Sequence, residues 1–233
     1  PVYATLVSTG KAGLGDPSDK VMGVSVLDYD GDSWPDLFVG SDRVPAKLYR
    51  NDGKGHFVDA AVRAGVALSE NGVARANMGT DAADYDRSGR PHLLVGNFSN
   101  QMLGLYYNEG KGLFVDEAPK SSVGRASLLT LAFGVFFFDY DLDGYQDILA
   151  ANGHIEEEIG RVQPKVQFRQ PPLLFRNLAP GEYVVQSGTE SSDTFQVADP
   201  SDVPPQALYD DQALLPAGGF GYITVRDGTI QVS

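Results

Sequence analysis

The chain has 233 residues, is 42% hydrophobic and carries a formal net charge of −13. Its 27 glycines and 14 prolines, together with this apolar content, indicate a folded, turn-rich protein rather than a disordered one. The acidic balance offers no basic patch for phosphates and argues against a nucleic-acid partner or an anionic membrane surface, and the lack of cysteine excludes disulfides, zinc–thiolate sites and cysteine nucleophiles.

An acidic stretch occurs three times along the chain. It reads "DYDGDSWPDLFVG" from Asp28, "DYDRSGRPHLLVG" from Asp84 and "DYDLDGYQDILAA" from Asp139, at spacings of 56 and 55 residues. A second motif follows each copy, as "KLYRNDGKGHFVDA", "GLYYNEGKGLFVDEA" and "LLFRN". Self-similarity at a fixed period indicates a protein built from structural repeats.

Each repeat predicts four short antiparallel strands separated by Asp-Gly and Gly-Lys-Gly turns. A unit of about fifty residues with four strands is typical of one propeller blade, whereas a helical solenoid would need a 3.6-residue period and less glycine. In the first repeat the predicted strands are Val24–Leu27, Leu37–Val39, Ala46–Arg50 and His56–Asp59.

We therefore predict an all-β fold made of β-propeller-type blades followed by a β-rich tail. Residues 1–178 are expected to form the blades, with repeats near 23–77, 78–132 and 133–178. Three blades are too few to close a ring, so the sequence predicts an incomplete or open propeller.

The spacing of the acidic loops suits calcium. Ca²⁺ takes six to eight oxygen ligands, and D-x-D-x-D-x-x-x-D offers carboxylates at alternate positions with a backbone carbonyl at the seventh. Without a cation the carboxylates would repel one another, although a metal-free acidic turn is the alternative. The predicted ligands are Asp28, Asp30, Asp32, the Trp34 carbonyl and Asp36 in the first loop, and Asp139, Asp141, Asp143, the Tyr145 carbonyl and Asp147 in the third.

The second loop departs from this pattern. Asp84 and Asp86 keep the first and third positions, but Ser88 stands at the fifth and His92 at the ninth. Serine can still offer a neutral oxygen, whereas imidazole nitrogen suits zinc, copper or nickel better than calcium. The sequence therefore predicts weak or no calcium binding here.

The combination of "DYDGDSWPDLFVG" and "LYRNDGKGHFVDA" resembles FG-GAP/VCBS repeats. More narrowly, it resembles the repeat region of ASPIC/UnbV-type proteins and their cartilage acidic protein-like relatives, over roughly Ala4 to Asn177. The resemblance implies calcium-binding β-propeller blades, usually about seven per propeller, in proteins that act outside the cytosol.

The tail after Asn177 lacks the acidic motif. It has a fainter resemblance to the N-terminal β-region of CocE-type hydrolases, but no nucleophile, base or oxyanion loop, so we predict that the chain is not an enzyme. Residues 179–233 are expected to form a small β-module or to donate strands to an exposed blade edge. The predicted tail strands are Tyr183–Gln186, Thr194–Val197, Tyr222–Val225 and Thr229–Val232, with a proline-rich crossing at Asp199–Pro205.

These features together predict a calcium-stabilised, extracellular or cell-surface binding or adhesion module without catalytic activity. Its partner, a protein or a glycan, is not encoded in the repeat, because propeller ligands bind to variable loops. Two alternatives are a structural subunit assembled by β-strand exchange and an accessory region of a secreted hydrolase. Asn97-Phe98-Ser99 matches the N-glycosylation acceptor pattern, and no apolar run reaches the roughly 18 residues of a membrane-spanning helix.

Overall fold

The computed structural model describes residues 12–15 and 18–186, and the backbone of three further strands at 194–196, 223–226 and 229–232. The predicted all-β class is confirmed, since strands form the described sheets and the helices among the described residues are short. Apart from a 3₁₀ turn at Ala118–Lys120, these helices are α1 (Ala61–Ala64), α2 (Ser122–Ser127) and α3 (Ile159–Val162).

Three four-stranded antiparallel sheets follow one another along the chain, as the repeats predict. Within each sheet every strand pairs with its neighbours in sequence, which is the meander of a propeller blade. Blade 1 contains β1 (Val21–Leu27), β2 (Asp36–Ser41), β3 (Lys47–Asn51) and β4 (Phe57–Asp59). Blade 2 contains β5 (Thr80–Ala83), β6 (His92–Val95), β7 (Gly104–Gly110) and β8 (Leu113–Asp116). Blade 3 contains β9 (Ala132–Phe138), β10 (Asp147–Asn152), β11 (Leu173–Asn177) and β12 (Tyr183–Gln186).

Strand β12 lies outside the boundary that the sequence suggested for the blades. The prediction placed Tyr183–Gln186 in the tail because the usual hairpin motif after "LFRN" is missing. The structure instead pairs Asn177 with Tyr183, and a turn with Gly181 at a positive φ of 77° returns the chain to the sheet. Tyr183 is buried, and its hydroxyl donates to the Gln146 carbonyl at 2.9 Å. Blade 3 therefore extends to Gln186.

The remaining tail strands form a separate three-stranded sheet. They are β13 (Thr194–Gln196), β14 (Ile223–Arg226) and β15 (Thr229–Val232), in the order β13-β15-β14. They agree with the predicted runs to within one residue, while the predicted proline-rich crossing lies outside the described residues. These described tail strands pair with one another, and none of them pairs with a blade.

Each pair of successive blades shares a hydrophobic core between facing sheets. One core is built on Phe38 and Leu48 of blade 1 with Leu93 of blade 2. The next is built on Leu94 of blade 2 with Phe175 of blade 3. All five side chains are fully buried. The consecutive residues Leu93 and Leu94 therefore serve opposite interfaces, because successive side chains of a strand point to opposite faces.

Glycine permits the first strands of adjacent blades to approach closely. A Cβ on Gly79 would lie 2.1 Å from the Phe133 carbonyl oxygen in blade 3, and a Cβ on Gly23 would lie 2.8 Å from the Met78 carbonyl oxygen. Any other residue at Gly79 would force the strands apart, because the obstacle is backbone rather than a flexible side chain.

A buried asparagine ties blade 2 to the acidic loop of blade 1, and another ties blade 3 to that of blade 2. The Asn108 side-chain amide donates to the Tyr29 carbonyl at 2.9 Å, and the Asn177 amide donates to the Tyr85 carbonyl at 2.9 Å. Both side chains are completely buried. Because a buried polar group is costly to leave unpaired, these bonds help to set how adjacent blades dock.

Replacing Asn177 by alanine should lower the free energy of unfolding by about 1–3 kcal/mol, because the carbonyl of the buried Tyr85 loses its side-chain donor and the Gln146 carbonyl keeps only the Tyr183 hydroxyl. Urea denaturation measures the change. The matched control is Asn71→Ala, an exposed residue whose loss should stay within about 0.5 kcal/mol. Equal stability of the two variants would contradict the docking role.

Candidate metal centres

The three acidic loops share one backbone conformation. In each, the fourth and sixth residues adopt a positive φ, and glycine occupies only one of these two positions. This curl points a backbone N–H of the sixth residue at the first aspartate, which accepts it at 2.7–2.8 Å. The residues with positive φ are Gly31 and Ser33, Arg87 and Gly89, and Leu142 and Gly144.

In the first loop, carboxylate oxygens of Asp28, Asp30 and Asp32 lie within 4.8 Å of one another. Asp30 Oδ1 is buried and accepts no hydrogen bond from the described residues. The seventh residue, Trp34, is half-exposed, and its backbone N–H donates to Asp32 Oδ1 at 3.0 Å. The first loop thus gathers carboxylate oxygens around Asp30 Oδ1, which has no hydrogen-bond partner among the described residues. Asp36, the fourth predicted carboxylate ligand, is not part of this group of three.

The third loop brings Asp139, Asp141 and Asp147 within the same 4.8 Å. Asp139 Oδ1 is again buried without a hydrogen bond from the described residues. Asp143 is outside this trio and accepts the backbone N–H of Tyr145 at 2.8 Å, as Asp32 does from Trp34. The two loops therefore present similar oxygen-only donor sets.

The ninth-position carboxylates anchor the loops to the sheets. Asp36 and Asp147 are completely buried, and each accepts one backbone N–H from its own loop and one from the end of the third strand. Burial raises the pKa of Asp36 to about 6 and that of Asp147 to about 7, although the hydrogen bonds oppose the shift. The backbone donors are Tyr29 and Asn51 for Asp36, and Tyr140 and Asn177 for Asp147.

An arginine that the sequence analysis did not single out pairs with each complete loop. Arg50 places Nε 2.5 Å from Asp30 Oδ2 and Nη2 2.6 Å from Asp32 Oδ2. Arg176, at the same place in the second motif, has Nε 2.6 Å from Asp141 Oδ2. The shared "RN" of "LYRN" and "LFRN" was the available signal. The guanidinium of Arg50 offsets carboxylate repulsion and leaves Asp30 Oδ1 uncovered.

The second loop contains a different arrangement around His92, which is completely buried. Its Nδ1 accepts the backbone N–H of Asn108 at 2.9 Å, so the proton lies on Nε2, which donates to Asp86 Oδ1 at 2.8 Å. Burial lowers the pKa of His92. Burial would raise the pKa of Asp86, but hydrogen bonds from Ser88 and His92 outweigh it and hold that pKa below its ordinary value. Both ring nitrogens are therefore engaged.

Arg87 connects the second loop to the third across the blade interface. Its Nε and Nη2 donate to the Gly144 and Asp143 carbonyls at 3.2 and 3.1 Å, and its guanidinium lies 3.9 Å from the Tyr145 ring centroid. Sequence spacing gave no indication of this contact, because the two loops are 55 residues apart.

Two other sequence signals have a structural outcome. Asn97 of the glycosylation pattern is 2% exposed and accepts the Asn77 backbone N–H at 3.0 Å, so the folded chain does not offer its amide to a glycosylating enzyme. Over the described residues, no helix combines the length and apolarity that crossing a membrane requires.

The family described as FG-GAP-like repeat matches residues 28–95 and 84–150, which together cover more than half of the chain. A solved structure from a study of specific recognition of non-reducing terminal N-acetylglucosamine by an Agrocybe aegerita lectin is 16% identical, over 75% of this chain, with a TM-score of 0.44. The match covers 40% of the lectin chain, so the present chain spans less than half of its length. No curated protein matches the chain.

In EDTA, the free energy of unfolding should decrease as the pH rises from about 4 to about 7. Both Asp36 and Asp147 have folded-state pKa values above the ordinary 3.8. Protonation therefore favours the folded state, and this stabilisation is complete below the unfolded pKa and lost as pH passes through the folded values.

Urea denaturation at several pH values across this range measures how the free energy of unfolding changes with pH. Asp36→Asn and Asp147→Asn remove the titrating groups, so the double variant should show a flatter profile whatever its absolute stability. An unchanged slope in that variant would assign the pH dependence to other groups.

Proposed function

The chain belongs to the FG-GAP-like repeat family, and from that premise we propose that it is a calcium-stabilised, extracellular binding module of propeller type with no catalytic role. The observation that carries this proposal is the pair of buried, unpartnered carboxylate oxygens, Asp30 Oδ1 and Asp139 Oδ1, inside oxygen-only clusters. A buried carboxylate oxygen without a donor is costly, and a hard cation would satisfy it.

The donor chemistry of the first and third loops fits calcium. The proposed ligands in the first loop are the carboxylates of Asp28, Asp30, Asp32 and Asp36 with the Trp34 carbonyl. Those in the third loop are the carboxylates of Asp139, Asp141, Asp143 and Asp147 with the Tyr145 carbonyl. Bound Ca²⁺ would supply the charge that these loops lack and would couple metal binding to folding.

Asp36 and Asp147 would then serve a second purpose. A nearby cation favours the ionised carboxylate, so calcium would lower the raised pKa values and release protons on binding near pH 6. The arginines Arg50 and Arg176 would hold Asp30 and Asp141 in place by one oxygen while the other faces the ion.

We propose that the second loop, with Asp84, Asp86 and Ser88 as its weaker candidate ligands, binds no calcium at physiological concentrations. His92 already donates to Asp86, and its ring takes the place of the ninth carboxylate. These hydrogen bonds would hold the loop in shape without a metal.

The extracellular setting is supported by the chemistry of the sites and by the FG-GAP-like repeats. Extracellular calcium modules work at millimolar calcium and tolerate moderate affinity. The ligand of the module, a protein or a glycan, would bind to loops rather than to the repeat core.

Isothermal titration of the EDTA-stripped protein should show two calcium ions per chain, and calcium should raise the thermal unfolding midpoint. Asp30→Asn and Asp139→Asn should each weaken one site by about tenfold or more, because each removes a charged ligand. Glu157→Gln, at an exposed acidic residue outside the loops, is the matched control. If titration gives no binding heat and calcium does not change the thermal unfolding midpoint, the loops are metal-free turns and the calcium proposal is wrong.

His92→Asp should create a third calcium site. An aspartate there can accept the Asn108 N–H as Asp36 and Asp147 accept their equivalents, and it removes the donor to Asp86. Titration should then give three ions per chain instead of two. His56→Asp, at an exposed histidine outside the acidic loops, controls for the added charge. A stoichiometry that stays at two would mean that Ser88 or the two arginines of the loop exclude the metal.

A further inference from the structure

A cavity of about 510 Å³ opens between blades 1 and 2, beside the first acidic loop. Its wall includes Tyr29 of that loop, Ala60 just before α1, and Lys111 and Gly112 in the turn between β7 and β8. The volume falls in the range of about 300–1,000 Å³ that is usual for small-molecule sites. Asp30 is the one residue that this cavity shares with the acidic clusters of the described residues.

The equivalent place between blades 2 and 3 is occupied by a carboxylate. There the Tyr85 hydroxyl donates to Glu117 Oε2 at 3.3 Å. Glu117 directly follows β8 and Ala60 directly follows β4, and each donates its backbone N–H to the third strand of its own blade. Ala60 is therefore the blade 1 equivalent of Glu117. The fold itself thus shows which group binds a tyrosine hydroxyl in this place.

Blade 1 offers the equivalent tyrosine no such carboxylate. Tyr29 is only 6% exposed, and its ring stacks with Phe114 of the next blade at 6.2 Å. Its equivalent, Tyr85, is buried in the same way at the next interface. The methyl group of Ala60 cannot accept a hydrogen bond, and both Ala60 and Tyr29 line the cavity. The cavity therefore lies where the Glu117 carboxylate lies one interface further along.

Three positive side chains line this cavity, in a chain whose net charge is −13. They are Arg50, Arg63 and Lys111. Aligning the paired strands places Tyr107 in blade 2 at the position of Arg50, and Pro180 in blade 3 at the position of Lys111. These two cations are thus present where the chain supplies no carboxylate and absent where it supplies its own.

Two aspartates also line the cavity, and both already have cationic partners. Asp30 Oδ2 lies 2.5 Å from Arg50 Nε, and Asp59 Oδ2 lies 3.2 Å from Lys47 Nζ. The other two cations of the cavity are exposed, and neither forms an ion pair with a carboxylate of the described residues. Two positive charges are therefore available to an anion from solution.

We propose that the cavity binds the carboxylate of a small polar ligand, which accepts the Tyr29 hydroxyl and is flanked by Arg63 and Lys111. The carboxylate takes the role that Glu117 has for Tyr85, and the two cations attract it to an otherwise acidic protein. The cavity has room for an acidic monosaccharide or an N-acylated amino acid, which share this carboxylate. This inference rests on the binding role proposed above, but not on calcium.

Titration followed by amide NMR, in calcium and at physiological ionic strength, tests the site. D-glucuronate and N-acetylglycine are the two acidic probes, and D-glucose and N-acetylglycine amide are their neutral counterparts. At least one acid should shift the amide signals of Ala60 and Gly112 saturably, with a millimolar or lower dissociation constant, and its neutral counterpart should not. The acid that binds more tightly identifies the source of the carboxylate. No saturable shift with either acid, or equal shifts with the neutral counterpart, would overturn the proposal.

Ala60→Glu should abolish binding of the acidic probe, because the new side chain places a carboxylate beside Tyr29 as Glu117 does beside Tyr85. Val62→Glu is the matched control, at an 80% exposed valine that does not line this cavity. It adds the same charge nearby and should change the dissociation constant by less than about twofold. An Ala60→Glu chain that binds the probe like the wild type would contradict the proposal.

Removing the two unpaired cations tests the site without filling it. The double variant Arg63→Gln, Lys111→Gln should weaken binding of the acidic probe by about tenfold, because both lost charges flank the carboxylate. The control Lys54→Gln, Lys165→Gln changes two exposed lysines outside the cavity and should bind like the wild type. Unchanged binding by the first double variant would overturn the proposal. Both variants should keep two calcium ions per chain, so a failure of calcium binding and a failure of probe binding are measured separately.

Discussion

The hydrogen bond from an asparagine backbone N–H at the end of the third strand to the ninth side chain of the acidic loop is the contact on which each blade depends. It occurs in all three blades, with Asp36, His92 and Asp147 as acceptors. The same asparagine projects its amide to the preceding blade, in the two places where a preceding blade is described. One residue thus joins the loop conformation, the strand pairing and the docking of blades, and its burial makes each of these bonds costly to lose.

In the first and third loops the ninth residue both accepts the asparagine N–H and supplies a carboxylate, whereas the histidine of the second loop keeps only the acceptor role. His92 keeps the acceptor for Asn108, so the second blade folds like the others. Its second nitrogen becomes a donor to Asp86, so the second loop presents a hydrogen-bond donor where the other two loops present a carboxylate. In the first and third loops the ninth carboxylate stays buried with a raised pKa, and arginine supplies part of the missing positive charge. The three loops are therefore alike in shape and different in electrostatics.

Much of the fold could be predicted because short residue patterns within each repeat specify its strands and turns. Alternating apolar residues, Asp-Gly turns and the regular spacing of the acidic loops located the blade strands that carry the motifs. Strand β12 was assigned wrongly to the tail, because the motif that usually introduces a fourth strand is missing and a Pro-Gly turn replaces it. The acidic side chains of the loops were identified, whereas Arg50, Arg176 and Arg87 were not, since their partners lie on other strands or in another blade.

The sequence by itself determined the blade type, the order of the strands and the oxygen-rich composition of two loops, because these depend on residue spacing within one hairpin. Only the tertiary structure decided which carboxylate oxygens of the described residues are left without a partner and which histidine tautomer the second loop requires. Each of those properties depends on the distance between residues far apart in the chain. The close approach at Gly79, where the Phe133 carbonyl leaves no space for a side chain, is decided by a neighbouring blade and cannot be read from the glycine alone.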